Sequence, residues 1–301
     1  MPIEKEIRGQ NFISWGEDNR YPFYLLDLYQ NVSTLHSIID GLVDYVCGNE
    51  IKSHVLTLDD EQMADLINDI ALSYAIYGGF ALNIVRNRMG GIAKVICMDF
   101  RYVRSNKKGD ILYYSEDFGE KSYGRGKYIA YPKYDKDDVN NLNSILYVKN
   151  NKFSVYPMPM YQAAIKSCEL EKSIDTYHIN AINNGFMGSV LVSLNNGVPE
   201  DEVKEQFEED FNEKFSGKDN AGRIIIAYND DKEHAAEIAK IDTEDFSARY
   251  QELAKRSREQ IYTAFRVTPN IMGLPTETTG FNSEEYKQAY ALFYGTVVRP
   301  I

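Results

Sequence analysis

Residues 241–301 read IDTEDFSARYQELAKRSREQIYTAFRVTPNIMGLPTETTGFNSEEYKQAYALFYGTVVRPI. Asp242 or Thr243 can cap a first helix, and Glu244 and Asp245 fall in its first turn, where the helix dipole favours carboxylates. Phe246, Tyr250, Leu253, Ile261 and Phe265 recur at helical spacing and form one apolar stripe, which Ser257 and Gln260 interrupt. The helix must stop before Pro269, because a proline pushes the preceding residue out of the α region. Met272-Gly273-Leu274-Pro275 and a polar loop, Thr276 to Gly280, come next. A second helix starts at Asn282 or Ser283, carries Glu284 and Glu285 in its first turn, and is stopped by Pro300.

Immediately upstream, Phe186 to Lys240 read as a small α/β unit. Ser189–Leu194 and Arg223–Tyr228 are strand-like, and Pro199 opens a helix between them. That helix is strongly acidic, with Glu200, Glu205, Glu208, Glu209 and Glu213, and buries Val203, Phe207, Phe211 and Phe215 at i, i+4 spacing. Before the unit lies another long helix, from Pro159 to about Asn183, on the order of 38 Å at about 1.5 Å per residue. Polar residues occupy both of its faces, Gln162, Lys166, Glu169, Glu171, Lys172, Asp175 and His178 among them. So thin an apolar stripe does not fit one small core and predicts packing beside further copies or along a surface. The layout is thus a small α/β unit inserted between two long helices, 159–183 and 242–266.

The N-terminal half divides in two. Pro22 opens a helix with Phe23, Leu26 and Tyr29, and Ser33 or Thr34 caps a second with Leu35, Ile38, Ile39, Leu42, Val43 and Val46 on its buried side, ended by Gly48. A third runs from Asp59-Asp60-Glu61 to about Tyr77 with Met63, Leu66, Ile67 and Ile70 as its core face. Gly78-Gly79 breaks it, and a meander of short antiparallel strands follows: 81–86 and 92–97 around the turn Met89-Gly90-Gly91, then 111–114, 128–131 and 145–149. Tyrosines in this region interleave with Arg101, Arg104, Lys107, Lys108, Arg125 and Lys127. Such a pattern fits either a nucleic-acid surface or ordinary strand and interface tyrosines.

At 301 residues and 44% hydrophobic, the chain can hold two or three domains with a core. No apolar run approaches the roughly 18 residues of a membrane span, and the start MPIEKEIRGQ is not a hydrophobic signal segment. Cys47, Cys97 and Cys168 are widely spaced, which predicts free thiols in a reducing compartment. A net charge of −12 disfavours gripping nucleic acid and permits letting it slide past.

The order of these features resembles the tailed-bacteriophage portal protein family. The start Trp15-Gly16-Glu17-Asp18-Asn19-Arg20-Tyr21-Pro22, the stretches INNGFMGSVLVSL and NAGRIIIAY, and the succession of helix, VTPNIMG, polar loop and FNSEEYKQAYALFYGTVVRP are similar to motifs of that family. The resemblance covers Trp15 to Pro300. It implies an α+β portal fold: a wing over 1–157 with helices and a β meander, a first stem helix over 158–186, a clip over 187–240, a second stem helix over 241–268, a tunnel loop over 269–283, and the start of the long wing or crown helix over 284–301. The crown that usually follows is expected to be absent or the sequence truncated. The resemblance also implies a homo-oligomeric ring, typically of twelve subunits, at one capsid vertex. Double-stranded DNA passes non-specifically through the channel, driven by a terminase. Head–tail adaptors, capsid and scaffold proteins are its other partners, no membrane is involved, and assembly in the host cytoplasm precedes incorporation in the virion. Thr276, Glu277, Thr278, Thr279, Gly280 and Phe281 would line the narrowest ring, and Glu205, Glu208 and Glu209 would face the terminase or adaptor.

Enzymatic signatures are missing from the sequence. There is no phosphate-binding G-x-x-x-x-G-K-[ST] and no G-x-S-x-G elbow. His36, His54, His178 and His234 lie far apart, and Asp135-Lys136-Asp137-Asp138 lacks the glycine and terminal glutamate of a calcium loop. No catalytic residue, metal or cofactor is expected. The alternative function is a metal-dependent nucleic-acid-processing or hydrolytic enzyme using Asp and Glu. It would need convergent carboxylates with His or Lys, and the sequence groups none.

Overall fold

Pro22 lies in the first turn of α1 (Tyr21–Asn31), where its fixed φ suits a helix start and its missing N–H costs nothing. The structure is a computed structural model that describes residues 4–6, 10–48, 60–119, 128–183, 190–194, 224–228, 244–272 and 283–301. The chain divides into two units: Met1–Glu169 with Ser257–Ile301, and Leu170–Arg256.

In the first unit α1 buries Pro22, Leu25 and Leu28, and the sequence-marked Phe23, Leu26 and Tyr29 are half-buried beside that face. After Val32, α2 (Ser33–Cys47) buries Leu35, Ile38, Ile39, Leu42 and Val43 as its spacing predicts. Ser33 is its first helical residue rather than its cap, since no side chain caps the start at Val32. Gly48 closes the helix at φ 64°, donating its N–H to the Asp44 carbonyl at 2.9 Å. In α3 (Asp60–Tyr77) the burial moves toward the C-terminal end. The expected core residues Met63, Leu66, Ile67 and Ile70 are only half-buried, whereas Ala71, Ala75, Ile76 and Tyr77 are buried. Helical periodicity continues along the whole helix, but only the half near Trp15 and Phe100 is covered; Tyr77 meets their rings at 6.4 and 5.7 Å.

The β region departs from a single meander. β1 (Glu4–Glu6) pairs with β2 (Ile13–Trp15). β3 (Gly79–Arg86) is central between β4 (Ile92–Cys97) and β8 (Asn143–Lys149), all antiparallel. β5 (Val103–Ser105), β6 (Ile111–Tyr114) and β7 (Ile129–Pro132) form a second antiparallel sheet. The last strand therefore returns to the first instead of continuing the row. Gly78, at φ +81°, admits no side chain, because a Cβ there would lie 2.1 Å from the Met158 carbonyl oxygen.

The core of this unit holds a buried cation. Arg104, on β5, is fully buried and donates Nε to Asn19 Oδ1 at 2.5 Å, Nη2 to the Asn19 carbonyl at 2.7 Å, and Nη1 to the Arg101 and Val103 carbonyls at 2.8 Å each. Its guanidinium lies 5.8 Å from the Trp15 ring and 5.1 Å from Phe118. Trp15 in turn stacks on Tyr156 at 4.6 Å and 3° between planes.

Two long helices run through both units: α4 (Ile165–Asn183) and α5 (Glu244–Phe265). The first begins six residues later than Pro159 suggests. Pro159 starts a turn, with its carbonyl accepting from the Gln162 N–H at 3.0 Å, and a 3-10 stretch Gln162–Ala164 precedes the α-helix. In α5 Leu253 is 37% exposed and Ser257 is 1% exposed, so the serine belongs to the buried stripe with Ile261 and Phe265, and the leucine does not. In the second unit β9 (Val190–Leu194) and β10 (Ile224–Tyr228) pair in parallel, Val190 opposite Ile224 and Leu194 opposite Tyr228. The expected acidic helix between them lies outside the described residues.

Candidate functional site at the ends of segment 273–282

Among the described residues, α5 ends in a capping motif built on an arginine. Arg266 takes φ +56°, its N–H donates to the Thr263 carbonyl at 3.1 Å, and the Val267 N–H reaches back to Tyr262 at 3.1 Å. The chain thus turns at Arg266, before Pro269 can act. A 3-10 turn, Pro269–Met272, follows and buries Ile271. The Tyr45 hydroxyl of α2 donates to the Ile271 carbonyl at 2.8 Å. Met272 lies against Gly41 of the same helix, where a Cβ would come 2.7 Å from its Sδ.

On the far side of the segment, α6 (Ser283–Phe293) returns to the same tyrosine. Tyr290 and Phe293 meet the Tyr45 ring at 5.7 and 5.8 Å. A π-helical turn, Tyr294–Val298, then buries Val297 and Val298, and the Arg299 N–H donates to the Tyr294 carbonyl at 2.8 Å. Burial, reinforced by the Tyr286 and Tyr290 hydroxyls, pushes Tyr45 up to about 12. Both flanks of segment 273–282 are thereby fixed on α2. Tyr286, Tyr290 and Tyr294 stack in succession along α6 at 6.3 and 5.9 Å, at helical i, i+4 spacing.

The long helices carry their own pairings. In the first unit Tyr161 stacks on Phe265 at 5.6 Å and Ser167 Oγ donates to Gln260 Oε1 at 2.5 Å. In the second unit Tyr177 stacks on Tyr250 at 4.7 Å. Within the first unit the partner of Tyr161 is Phe265 and that of Ser167 is Gln260, the order of an antiparallel pair. Along α4 burial recurs at Cys168, Glu171 and Ile174, and every residue from 175 to 180 is exposed.

The site residues proposed from sequence, Thr276, Glu277, Thr278, Thr279, Gly280 and Phe281 and likewise Glu205, Glu208 and Glu209, lie outside the described residues. Of the cations that interleave with tyrosines in the β region, Lys107 and Lys108 are exposed, whereas the arginines described do not join them. Arg104 is buried, Arg101 is clamped by Asp99 with Nη2 to Oδ2 at 2.5 Å, and Arg125 and Lys127 are outside the described residues. In the 135–138 turn, Asp135 Oδ1 accepts from the Asp137 N–H at 3.0 Å, and the carbonyls of Asp135 and Lys136 accept from Arg86. Those oxygens serve the fold. Burial, then Asp69 and Asp99, pushes the Cys97 thiol up to about 12, which suits no thiolate chemistry at neutral pH. Among the described residues no group of three or more His, Cys, Asp or Glu could hold a metal ion, and no helix is long and apolar enough to cross a membrane. Tyr45 and Arg266 were not legible as site residues. Gly41, a helix-weakening residue inside a strong helical pattern, was the one available signal.

These features define an α+β chain with long helices and a C-terminal segment anchored on α2. The family model of phage portal proteins matches residues 58–301, and the chain belongs to that family. The fold is similar to that of a chain in the virion of the native gene transfer agent particle, with TM-score 0.56 at 15% identity over 93% of this chain and 77% of that one. A chain from the neck of the native particle, computed with C12 symmetry, gives 0.54 at 15% identity over 92% and 76%. The HK97 family phage portal protein from Corynebacterium diphtheriae gives 0.50 at 10% identity over 89% and 84%. At these identities the likeness is one of fold. An uncharacterized protein of Rickettsia felis is 24% identical over 160 residues, 52% of this chain and 40% of that protein. The chain thus matches less than half the length of such curated relatives.

Proposed function

We propose that this chain is a non-enzymatic ring subunit of a portal, the head–tail connector through which a genome is packaged and ejected. The family match over 58–301 carries the reading. A chain of similar fold stands in a neck computed with C12 symmetry, which supports twelve copies here. The paired helices α4 and α5 act as the stem, residues 187–240 as the clip and 1–157 as the wing. Exposed positions 175–180 are then covered by neighbouring subunits, as a cyclic ring with heterologous contacts requires. Segment 276–281 acts as the tunnel loop. Its threonine hydroxyls can meet phosphates without retaining them, and Glu277 repeated around a ring repels the backbone and centres the duplex. The anchoring of Ile271, Phe293 and Val297 on α2 supports a fixed base for that loop. Glu205, Glu208 and Glu209 meet the terminase or the tail adaptor, steering partners of opposite charge. Capsid and scaffold proteins hold the ring at one vertex of the virion after assembly in the host cytoplasm. Twelve chains of net charge −12 present an acidic body that does not trap a moving polyanion.

The test is the native mass and image of the purified protein. Twelve copies of a 34.5 kDa chain weigh about 414 kDa and form a ring with a central hole. A monomer or dimer at micromolar concentration in every salt tested overturns the reading.

A further inference from the structure

One cleft of the first unit has a composition opposite to the rest of the chain. Lys107 and Lys108 lie in the turn before β6, Lys133 follows β7, Lys149 ends β8, and Lys152 lies in the next turn; together they line a cleft of about 380 Å³. Phe153 stands at its rim, 95% exposed. Glu4 also lines the cleft, and Glu6 reaches Lys107 at 3.3 Å, a pair open to solvent on both sides. Five lysines against these two glutamates leave a local surplus of three positive charges in a chain of net charge −12. Burial, aided by neighbouring Lys133 and opposed by Glu4, holds the Lys149 ammonium below the usual lysine value.

We propose that this cleft binds the phosphodiester backbone of nucleic acid. Among the described residues its lining cations are all lysines. The guanidinium fork reads carboxylate and phosphate alike with fixed geometry, whereas ammonium groups on flexible stems act as point charges that a repeating phosphate chain can meet without regard to sequence. Four of the five lysines are exposed and can follow a backbone, while Lys149 is tied to the Ser154 carbonyl at the cleft floor. Phe153 adds an apolar face beside them for a sugar or an unstacked base. The residues described as lining the cleft come from the N-terminal strand and the β region, so the proposal does not depend on segment 276–281.

The experiment is fluorescence anisotropy of a labelled 24-base-pair duplex with the full chain, between 50 and 200 mM salt. Wild type should bind with a log–log salt slope of about −4 to −5, near 0.9 per phosphate neutralised by five lysines. Lys133→Glu with Lys152→Glu should weaken binding at least tenfold and flatten the slope by about 2. Lys94→Glu with Lys136→Glu makes the same change in net charge at exposed positions away from the cleft and should alter affinity less than about twofold. Equal loss in both pairs, no loss in the cleft pair, or equally tight binding of polyglutamate of matched charge overturns the proposal. A chain lacking 276–280 should bind as wild type does, so failure of the channel reading leaves this result standing, and the reverse.

Discussion

The Tyr45 hydroxyl donates to the Ile271 carbonyl at 2.8 Å, joining a helix near the N-terminus to the residues that lead into segment 273–282. Tyr45→Phe keeps the ring contacts with Tyr290 and Phe293 and removes the hydroxyl's bonds to Ile271 and Tyr286, so it should cost about 1–2 kcal/mol in urea unfolding. The bond also gives a pH signature. Tyr45 and Tyr21 are both raised from 10 to about 12, with burial the largest cause for each. Folding therefore favours their protonated forms: that stabilisation is whole below pH 10 and is lost as the pH rises toward 12. Unfolding midpoints measured from pH 9 to 12 should fall for wild type and fall less for Tyr21→Phe with Tyr45→Phe. An equal fall in both would show that these hydroxyls do not carry it.

Arg104→Leu should destabilise the chain by about 3 kcal/mol or more, because it strips the donors from the Asn19 side chain and buried carbonyls that nothing else in the hydrophobic replacement can satisfy. Arg104→Lys should not rescue it, since an ammonium cannot reproduce the fork held between Asn19 and the carbonyls of Arg101 and Val103. Trp15, the single tryptophan, lies 5.8 Å from that guanidinium and reports the transition directly by fluorescence. A loss below about 1 kcal/mol would show that the buried cation contributes little net stability.

Arg266→Gly should stabilise by about 0.5–1 kcal/mol. The residue sits at φ +56° in the capping position that glycine fills without strain. Its side chain is exposed, so little packing is lost. A destabilised variant would mean that the arginine makes a contact worth more than the strain it carries.

Deletion of Thr276 to Gly280 should leave ring assembly intact and impair packaging or retention of DNA. Packaged DNA per particle, measured beside an image of the ring, separates the two effects. Normal packaging by the deletion variant would make the segment a plain helix connector. Reversal of Glu205, Glu208 and Glu209 to Lys should weaken binding of the terminase or adaptor and leave the unfolding midpoint unchanged. Unaltered binding across a range of salt would remove the clip from that role.

Long periodic segments were the most legible part of the sequence. Leu35, Ile38, Ile39 and Leu42 predicted the buried face of α2, and the turn at Gly90-Gly91 predicted the β3–β4 hairpin. Burial along a helix was not, since the pattern at Met63, Leu66, Ile67 and Ile70 persists where these residues are only half-buried. Strand order also escaped, because each strand's alternation states which face is apolar and is silent about its neighbour; the return of Asn143–Lys149 to β3 is fixed by tertiary contacts. β2 and β5 are three residues each and contain Ser14, Arg104 and Ser105, too short and too polar for a pattern to flag. Ser257 was misplaced for a related reason. A hydroxyl reads as surface in a sequence, yet Ser257 is buried on the same stripe as Ile261 and Phe265. The anchoring role of Tyr45 depends on a carbonyl 226 residues away and left no local trace.

The parallel register of β9 and β10 has a consequence in time. An antiparallel hairpin can zip from its turn as soon as the turn emerges, but Val190–Leu194 cannot meet Ile224–Tyr228 until residues 195–223 have been made and have carried the chain back to the start of the first strand. During synthesis the stretch Val190-Leu191-Val192 therefore waits unpaired, rich in β-branched and aliphatic side chains. This pair should close more slowly than the β3–β4 hairpin and be a source of misassociated chains when expression outpaces folding.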